Sequence, residues 1–251
     1  MKSKLLLCVF LAATLSACAT TGNKDQSERK GNLYMDNGTQ ALMEGRFADA
    51  LSSLSQAVKF LPKHAGAWNN LGLAFHNKDE PKRAEEAWKK ALALDSSFTD
   101  AHTNLGALYL QQKRYKEAEQ EFKEASKDLS YLKMHQVNYN LALVYLQQRK
   151  NINAEQQLKL AVQAEPGFCA AWYKLGNLQK ERGEFSTATE SIKKSVSGPC
   201  FNNPEIHFEI SSLYMKQREY GQAKSKLLEI IQLFPQSEWA KKAEITLNIM
   251  R

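Results

Sequence analysis

The residues of this 251-residue chain whose types could carry chemistry are four cysteines, five histidines and a scatter of carboxylates. His64, His76, His102, His135 and His207 are spread along the chain without the HxxxH or CxxC spacing that would let one element hold a zinc ion. No glycine-rich phosphate loop, serine-centred elbow or paired-carboxylate arrangement occurs. Neither a metal, a cofactor, a small-molecule substrate nor an enzymatic reaction is therefore expected. The thiols remain. Cys8 and Cys18 lie near the start, and Cys169 and Cys200 lie far downstream.

The elements that must position these residues repeat with a period of 34 residues. Trp68, Leu71, Gly72, Phe75, Ala84, Trp88 and Ala91 recur one period later as His102, Leu105, Gly106, Tyr109, Ala118, Phe122 and Ala125. Upstream stand Gly38, Ala41, Ala50, Leu54, Ala57 and Pro62. Downstream, after about two inserted residues near Asp128–His135, come Leu141, Ala142, Tyr145, Ala154, Leu158 and Ala161. Trp172, Leu175, Gly176, Ala188 and Ile192 form a fifth copy. One further inserted residue precedes the sixth, with Ile210, Tyr214, Ala223, Leu227 and Ile230. Self-similarity of this length means stacked units, each burying its apolar face against its neighbours. Such surfaces are long and suited to binding rather than to chemistry.

Each copy reads as two helices. Large residues at i, i+3 and i+7 form one apolar stripe, and Ala84, Trp88 and Ala91 form another. Gly72, Gly106 and Gly176, or Ala142, stand where the two helices approach most closely. Pro62, Pro166 and Pro235 end second helices, and Gly45 and Gly183 mark the short turns within units. This pattern resembles the tetratricopeptide (TPR) repeat. The resemblance runs from Gly31 to about Pro235 and implies an all-α superhelical solenoid of six helix-turn-helix repeats. Ser237–Met250 would add a C-terminal capping helix.

In this register Cys169 opens the first helix of copy five and Cys200 follows the end of its second. Antiparallel helices bring those ends together, which is what a disulfide requires, and an oxidising compartment would close it. The alternative is two buried, unpaired thiols.

The first 17 residues carry Lys2 and Lys4, then an apolar run from Leu5 to Leu15, too short to span a bilayer and typical of a secretory signal. Leu15-Ser16-Ala17-Cys18 resembles the lipobox of bacterial lipoproteins. That resemblance implies cleavage before Cys18 and acylation of Cys18, a firm anchor once two or more chains are attached. Ala19 in place of Asp implies the outer membrane and its periplasmic face. Residues 18–31 then read as the lipidated cysteine and a flexible tether without large apolar side chains, and residues 32–251 as the solenoid with its cap.

Charge excludes one class of partner. The formal net charge is +7, and loss of Lys2 and Lys4 brings the mature chain to +5, spread over mixed-sign helix faces. No basic stripe interleaved with aromatics occurs, so nucleic acid is not expected.

In the TPR family the first helix of each unit lines the binding groove. That resemblance assigns to the wall Met35, Leu42 and Met43; Asn69, Leu73, His76 and Asn77; and Leu110. Tyr139, Leu143 and Leu146 follow, with Tyr173 beyond. Each is equally open to being inter-repeat packing. As a set they suit an amphipathic helix or apolar strand of a protein partner. The fifth positions of the units are Met35, Asn69, Thr103, Tyr139, Tyr173 and Phe208 rather than Lys or Arg, so a clamp for a C-terminal carboxylate is not expected. The amino-terminal half, nearest the tether and poor in charge, is the expected contact.

A lipobox, a short polar tether and six TPR units with no other domain resemble the outer-membrane pilotins of type IV pilus biogenesis (PilF/PilW/Tgl type). The resemblance implies a lipoprotein that binds the pilus secretin and promotes its outer-membrane localisation and ring assembly. An alternative is an NlpI-like envelope scaffold docking peptidoglycan hydrolases or proteases.

Overall fold

The computed structural model describes residues 25–250. Among them are thirteen α-helices, one 3-10 turn and no strand. In chain order these are α1 (25–43), α2 (Phe47–Phe60), α3 (Ala65–Asn77), α4 (Pro81–Leu94), α5 (Thr99–Gln111), α6 (Tyr115–Ala125) and α7 (Met134–Gln147). There follow α8 (Asn151–Ala164), α9 (Cys169–Glu181), α10 (Phe185–Ser195), the 3-10 turn Gly198–Cys200, α11 (Pro204–Lys216), α12 (Tyr220–Leu233) and α13 (Glu238–Ile249). Twelve helices fall into six successive pairs with a thirteenth after them. This is the TPR solenoid fold that the period implies.

Each pair turns in the same way. Gly45, Asp79, Lys113, Arg149, Gly183 and Arg218 all take positive φ, between 58° and 79°. In every case the next residue donates its N–H back to the carbonyl five positions earlier, as Arg46 to Ala41 at 2.9 Å and Lys150 to Tyr145 at 2.8 Å. The left-handed residue donates to the carbonyl three before it, as Lys113 to Leu110 at 3.0 Å. These are Schellman closures, which satisfy the orphan carbonyls of a helix end. Only Gly45 and Gly183 announce themselves in the sequence; the other four turns use Asp, Lys and Arg where glycine is favoured. The six positions are spaced by 34, 34, 36, 34 and 35 residues, so the insertions fall outside the hairpin turns. The two-residue insertion lies in the link 126–133 between α6 and α7, longer than the four-residue links 61–64 and 95–98.

The second helices α2, α4, α6, α8 and α10 bury a small–large–small stripe at i, i+4 and i+7. Ala50, Leu54 and Ala57 have no exposure, nor do Ala154, Leu158 and Ala161. That spacing keeps one face inward over two turns.

The chain forms two compact units, one ending at Arg114 and one beginning at Tyr115. In the first, α3 packs against α2 and α4, and α4 against α5. A Cβ on Gly38 would stand 2.5 Å from Leu54 Cγ, and one on Gly72 2.5 Å from Trp88 Nε1, so the backbones meet where only glycine fits. In the second unit each helix from α6 to α13 packs on the next. Ala188, Ile192, Val196, Ile210, Leu213 and Tyr214 make the core around α10 and α11. Leu227, Ile230 and Ala243 close its end, with Trp239 and Leu247 of α13 packed against them.

One boundary differs from expectation. Residues 25–31, assigned to the flexible tether, are helical and form the first turns of α1. Large apolar side chains are not needed there. Extending an existing helix adds one hydrogen bond per residue, and the docked part of α1 supplies the nucleus. Gly31 is buried against Leu61, Tyr34 stacks on Phe60 at 5.7 Å, and Arg29 pairs with Asp25 at 2.8 Å. Residues 1–24, which include the expected signal and Cys18, lie outside the described residues.

Candidate functional site

The side chains singled out as chemically capable are mostly structural. His64 caps α3, its Nδ1 accepting from Ala67 N at 3.1 Å. His102 and His207 place Nε2 at 3.0 and 2.9 Å from the carbonyls of Ser96 and Phe201, six residues earlier. The indoles of Trp68 and Trp172 donate to Pro62 and Pro166 in the same relation, at 3.0 and 2.9 Å. One repeat position thus carries a ring N–H that ties four of the first helices, α3, α5, α9 and α11, to the link before them. His76 and His135 lie beside Trp88 and Phe168, with ring centroids at 5.8 and 5.2 Å.

Cys169, at the start of α9, and Cys200, in the 3-10 turn, form a disulfide with a Cα–Cα separation of 6.4 Å. The bridge joins the start of one first helix to the link before the next.

In the first unit the wall of first helices is held by amides. Asn104 Nδ2 donates to Asn69 Oδ1 at 3.0 Å, Asn69 Nδ2 to Asn70 Oδ1 at 3.2 Å, and Asn70 Nδ2 to Thr39 Oγ1 at 3.0 Å. This ladder ties α5 to α3 and α3 to α1. Asn69 is only 4% exposed. Its assignment as a partner contact is therefore corrected: an amide inserted between helices keeps its hydrogen bonds there and is not presented to a ligand. Around the ladder Met35, Leu42, Leu73, His76 and Leu110 are half-buried. Met43 is 78% exposed, and Asn77 is exposed with its amide donating to the Leu73 carbonyl at 2.9 Å. The half-buried set keeps apolar surface in water while its inner edges pack, which suits a wall able to take an apolar segment.

In the second unit Tyr139, Leu143, Leu146 and Tyr173 are likewise half-buried. Tyr139 packs edge-on against Phe168 at 5.0 Å. The Tyr173 hydroxyl donates to Glu209 at 3.0 Å, and Glu209 also pairs with Lys180. Beside them lies a cleft of ≈ 460 Å³ lined by Tyr173, Phe208, Ser212, Lys216 and Trp239. Phe208 and Trp239 meet at 5.4 Å. Trp239 belongs to α13, which sequence reasoning treated only as a cap; its signal was a lone tryptophan on an amphipathic stretch.

Successive pairs are also clamped by carboxylates that periodicity did not reveal. Glu85 of α4 accepts from Arg114 at 2.8 Å, Lys89 at 2.7 Å and the Tyr109 hydroxyl at 3.0 Å. Burial alone would raise the Glu85 carboxyl, but those donors outweigh it and bring it down to about 2. Glu119 repeats the arrangement with Lys123 and Lys150 and is also held at about 2, donors again overriding burial. The Arg182 hydrogen bond is the main reason Glu155 lies at about 2, assisted by Lys159.

Against known proteins, the tetratricopeptide repeat family matches residues 65–98, 87–120 and 135–168. The type IV pilus assembly protein PilF of Pseudomonas aeruginosa is 30% identical over 224 residues, covering 87% of this chain and 75% of that protein. Its solved structure superposes with a TM-score of 0.74 at 26% identity, covering 89% of this chain and 99% of that one. PilW, described as a widely conserved type IV pilus biogenesis factor, superposes at 0.67 with 21% identity, over 84% and 97% of the two chains, a likeness of fold. A lipoprotein NlpI homolog of Haemophilus influenzae is 29% identical over 99 residues, 39% of this chain and 32% of that protein.

Proposed function

The chain belongs to the family of the type IV pilus assembly protein PilF, and on that premise we propose that it is a lipid-anchored pilotin. In this reading Cys18 is acylated and holds the protein at the periplasmic face of the outer membrane. The wall of first helices then binds the pilus secretin and promotes its localisation and ring assembly there. The observation that carries the reading is that the likeness to a pilus assembly protein runs along most of both chains, whereas the likeness to the NlpI homolog is confined to a third or so of each. No reacting group is required of a TPR protein-interaction scaffold.

The proposed mechanism needs two physical steps. Anchoring confines the protein to a thin layer and raises the effective concentration of its wall for any partner reaching the same membrane. Met35, Leu42, Leu73 and Leu110 then exchange partial exposure for contact with an apolar secretin segment. Few charges need to be desolvated, since the ladder beneath is already satisfied within the fold.

The test is capture of the secretin from membranes by the lipidated chain and by a Leu42→Glu, Leu73→Glu variant. Loss of capture with urea unfolding near wild type is expected. Met43→Glu, at an exposed position, provides a variant that cannot disturb packing. Normal capture by both variants overturns the wall assignment, and no capture by the wild-type chain overturns the pilotin reading. Cys18→Ser should release the protein from outer-membrane fractions; retention in the absence of secretin overturns the anchor.

A further inference from the structure

A second groove lies in the first unit, banked by the second helices α2 and α4 with residues of α3 between them, and it shares none of the wall residues named above. Its floor is Val58 of α2 with Leu71 and Phe75 of α3, at 8%, 4% and 6% exposure, flanked by the half-buried Trp68. The groove encloses ≈ 450 Å³. Lys59 stands on the α2 bank, Arg83 and Lys90 on the α4 bank, and Glu86 is the lone carboxylate of the lining.

The cations are not equivalent. Arg83 is committed: its guanidinium lies 3.9 Å from the Phe75 ring centroid and pairs with Glu80 at 2.6 Å. It roofs one end of the floor. Lys59 reaches only the amide oxygen of Gln56, at 3.5 Å. Lys90 has no ion-pair partner among the described residues. Two exposed ammonium groups therefore stand on opposite banks of an apolar floor, with one carboxylate in the lining.

We propose that this groove is a docking site for an acidic amphipathic helix of a protein partner. A trough between two helices is the shape that accepts a third, at interaxial distances of about 8–10 Å. Charge complementarity selects the occupant. An apolar stripe meets Val58, Trp68 and Phe75, and carboxylates on its two flanks meet Lys59 and Lys90. An acidic segment gains from Lys59 on one bank and Lys90 on the other, whereas a basic one is repelled by both. The site is separate from the secretin wall proposed above and does not depend on it.

The test uses a fluorescein-labelled amphipathic peptide of about four turns with leucine on one face and glutamate on both flanks. Two comparison peptides replace every glutamate by glutamine or by lysine. Anisotropy titrations against the Cys18→Ser full chain should show the glutamate peptide binding at least tenfold more tightly than the lysine peptide, with the advantage shrinking as salt rises. Lys59→Glu with Lys90→Glu, both on exposed side chains, should lower its affinity about tenfold and invert the preference. Leu42→Glu with Leu73→Glu should leave it unchanged. The proposal is overturned if the glutamate and lysine peptides bind alike, if the charge reversal has no effect, or if only the Leu42 and Leu73 changes abolish binding. That last result would put the peptide on the wall of first helices instead.

Discussion

The indole of Trp88 lies across Gly72 so closely that a Cβ on the glycine would stand 2.5 Å from Nε1. The same Nε1–H donates to the Asn69 carbonyl at 3.1 Å. Glycine here is the condition for the hydrogen bond, and the hydrogen bond fixes the ring that forbids anything larger. Trp88 is 1% exposed and has nowhere to retreat.

Gly72→Ala should therefore destabilise the protein by about 1–3 kcal/mol, despite the better helix propensity of alanine. Gly221 in α12 provides the contrast, since a Cβ there meets nothing within 4 Å. Gly221→Ala should leave stability unchanged or raise it by about 0.5–1 kcal/mol. Urea unfolding of both variants checks the pair; equal effects would mean that the contact with Trp88 is not what sets the cost.

Lys113 and Arg218 hold left-handed conformations at φ 61° and 63°. Such a conformation costs a non-glycine residue roughly 1–2 kcal/mol, of which glycine's greater unfolded entropy returns part. Lys113→Gly and Arg218→Gly should each raise stability by about 0.5–1 kcal/mol, and Gly183→Ala, at φ 79°, should lower it. Thermal melts of the three variants give the signs directly.

Glu85, Glu119 and Glu155 make stability depend on acid. Their folded pKa, about 2, lies below the usual glutamate value of 4.5, so the folded state binds these protons less readily than the unfolded chain. Their contribution is complete above about pH 5 and is lost as pH falls from there toward 2. Replacing all three by glutamine should flatten the decline of the urea midpoint between pH 5 and 2.5. At neutral pH each change should cost about 1 kcal/mol or less, because these pairs remain partly solvated. A decline as steep as wild type would place the acid sensitivity elsewhere.

The Cys169–Cys200 bridge encloses 31 residues of sequence separation and ties α9 to the link before α11. Its reduction should lower stability by roughly 2–4 kcal/mol. Comparing unfolding of oxidised protein, reduced protein and a Cys169→Ser, Cys200→Ser variant checks this, with the oxidised protein's mass rising by about two hydrogens on reduction. Reactivity of both thiols in air-oxidised protein would contradict the bridge.

What the chain determined locally was legible in it. Helices recur because small and large apolar residues return at 3.6-residue intervals inside a 34-residue unit, and the positions of Gly72, Gly176 and Trp88 are readable because close approach tolerates so few residue types. Even the link insertions could be counted, since they shift the period. The turns at Asp79, Lys113, Arg149 and Arg218 were legible only through that period, because the backbone closure there does not depend on glycine. Tertiary structure alone decided which side chains the first helices present. Asn69 and Asn70 are neighbours of the same chemical type, and both enter one amide ladder only because α1, α3 and α5 lie side by side at a particular rotation. The same holds for Glu85 meeting Arg114, and for Trp239 of the last helix joining Phe208. A helix's own period says which face is apolar. Which residue across the interface meets that face is set by interhelical distance and rotation, and these belong to the packed assembly rather than to any one stretch of sequence.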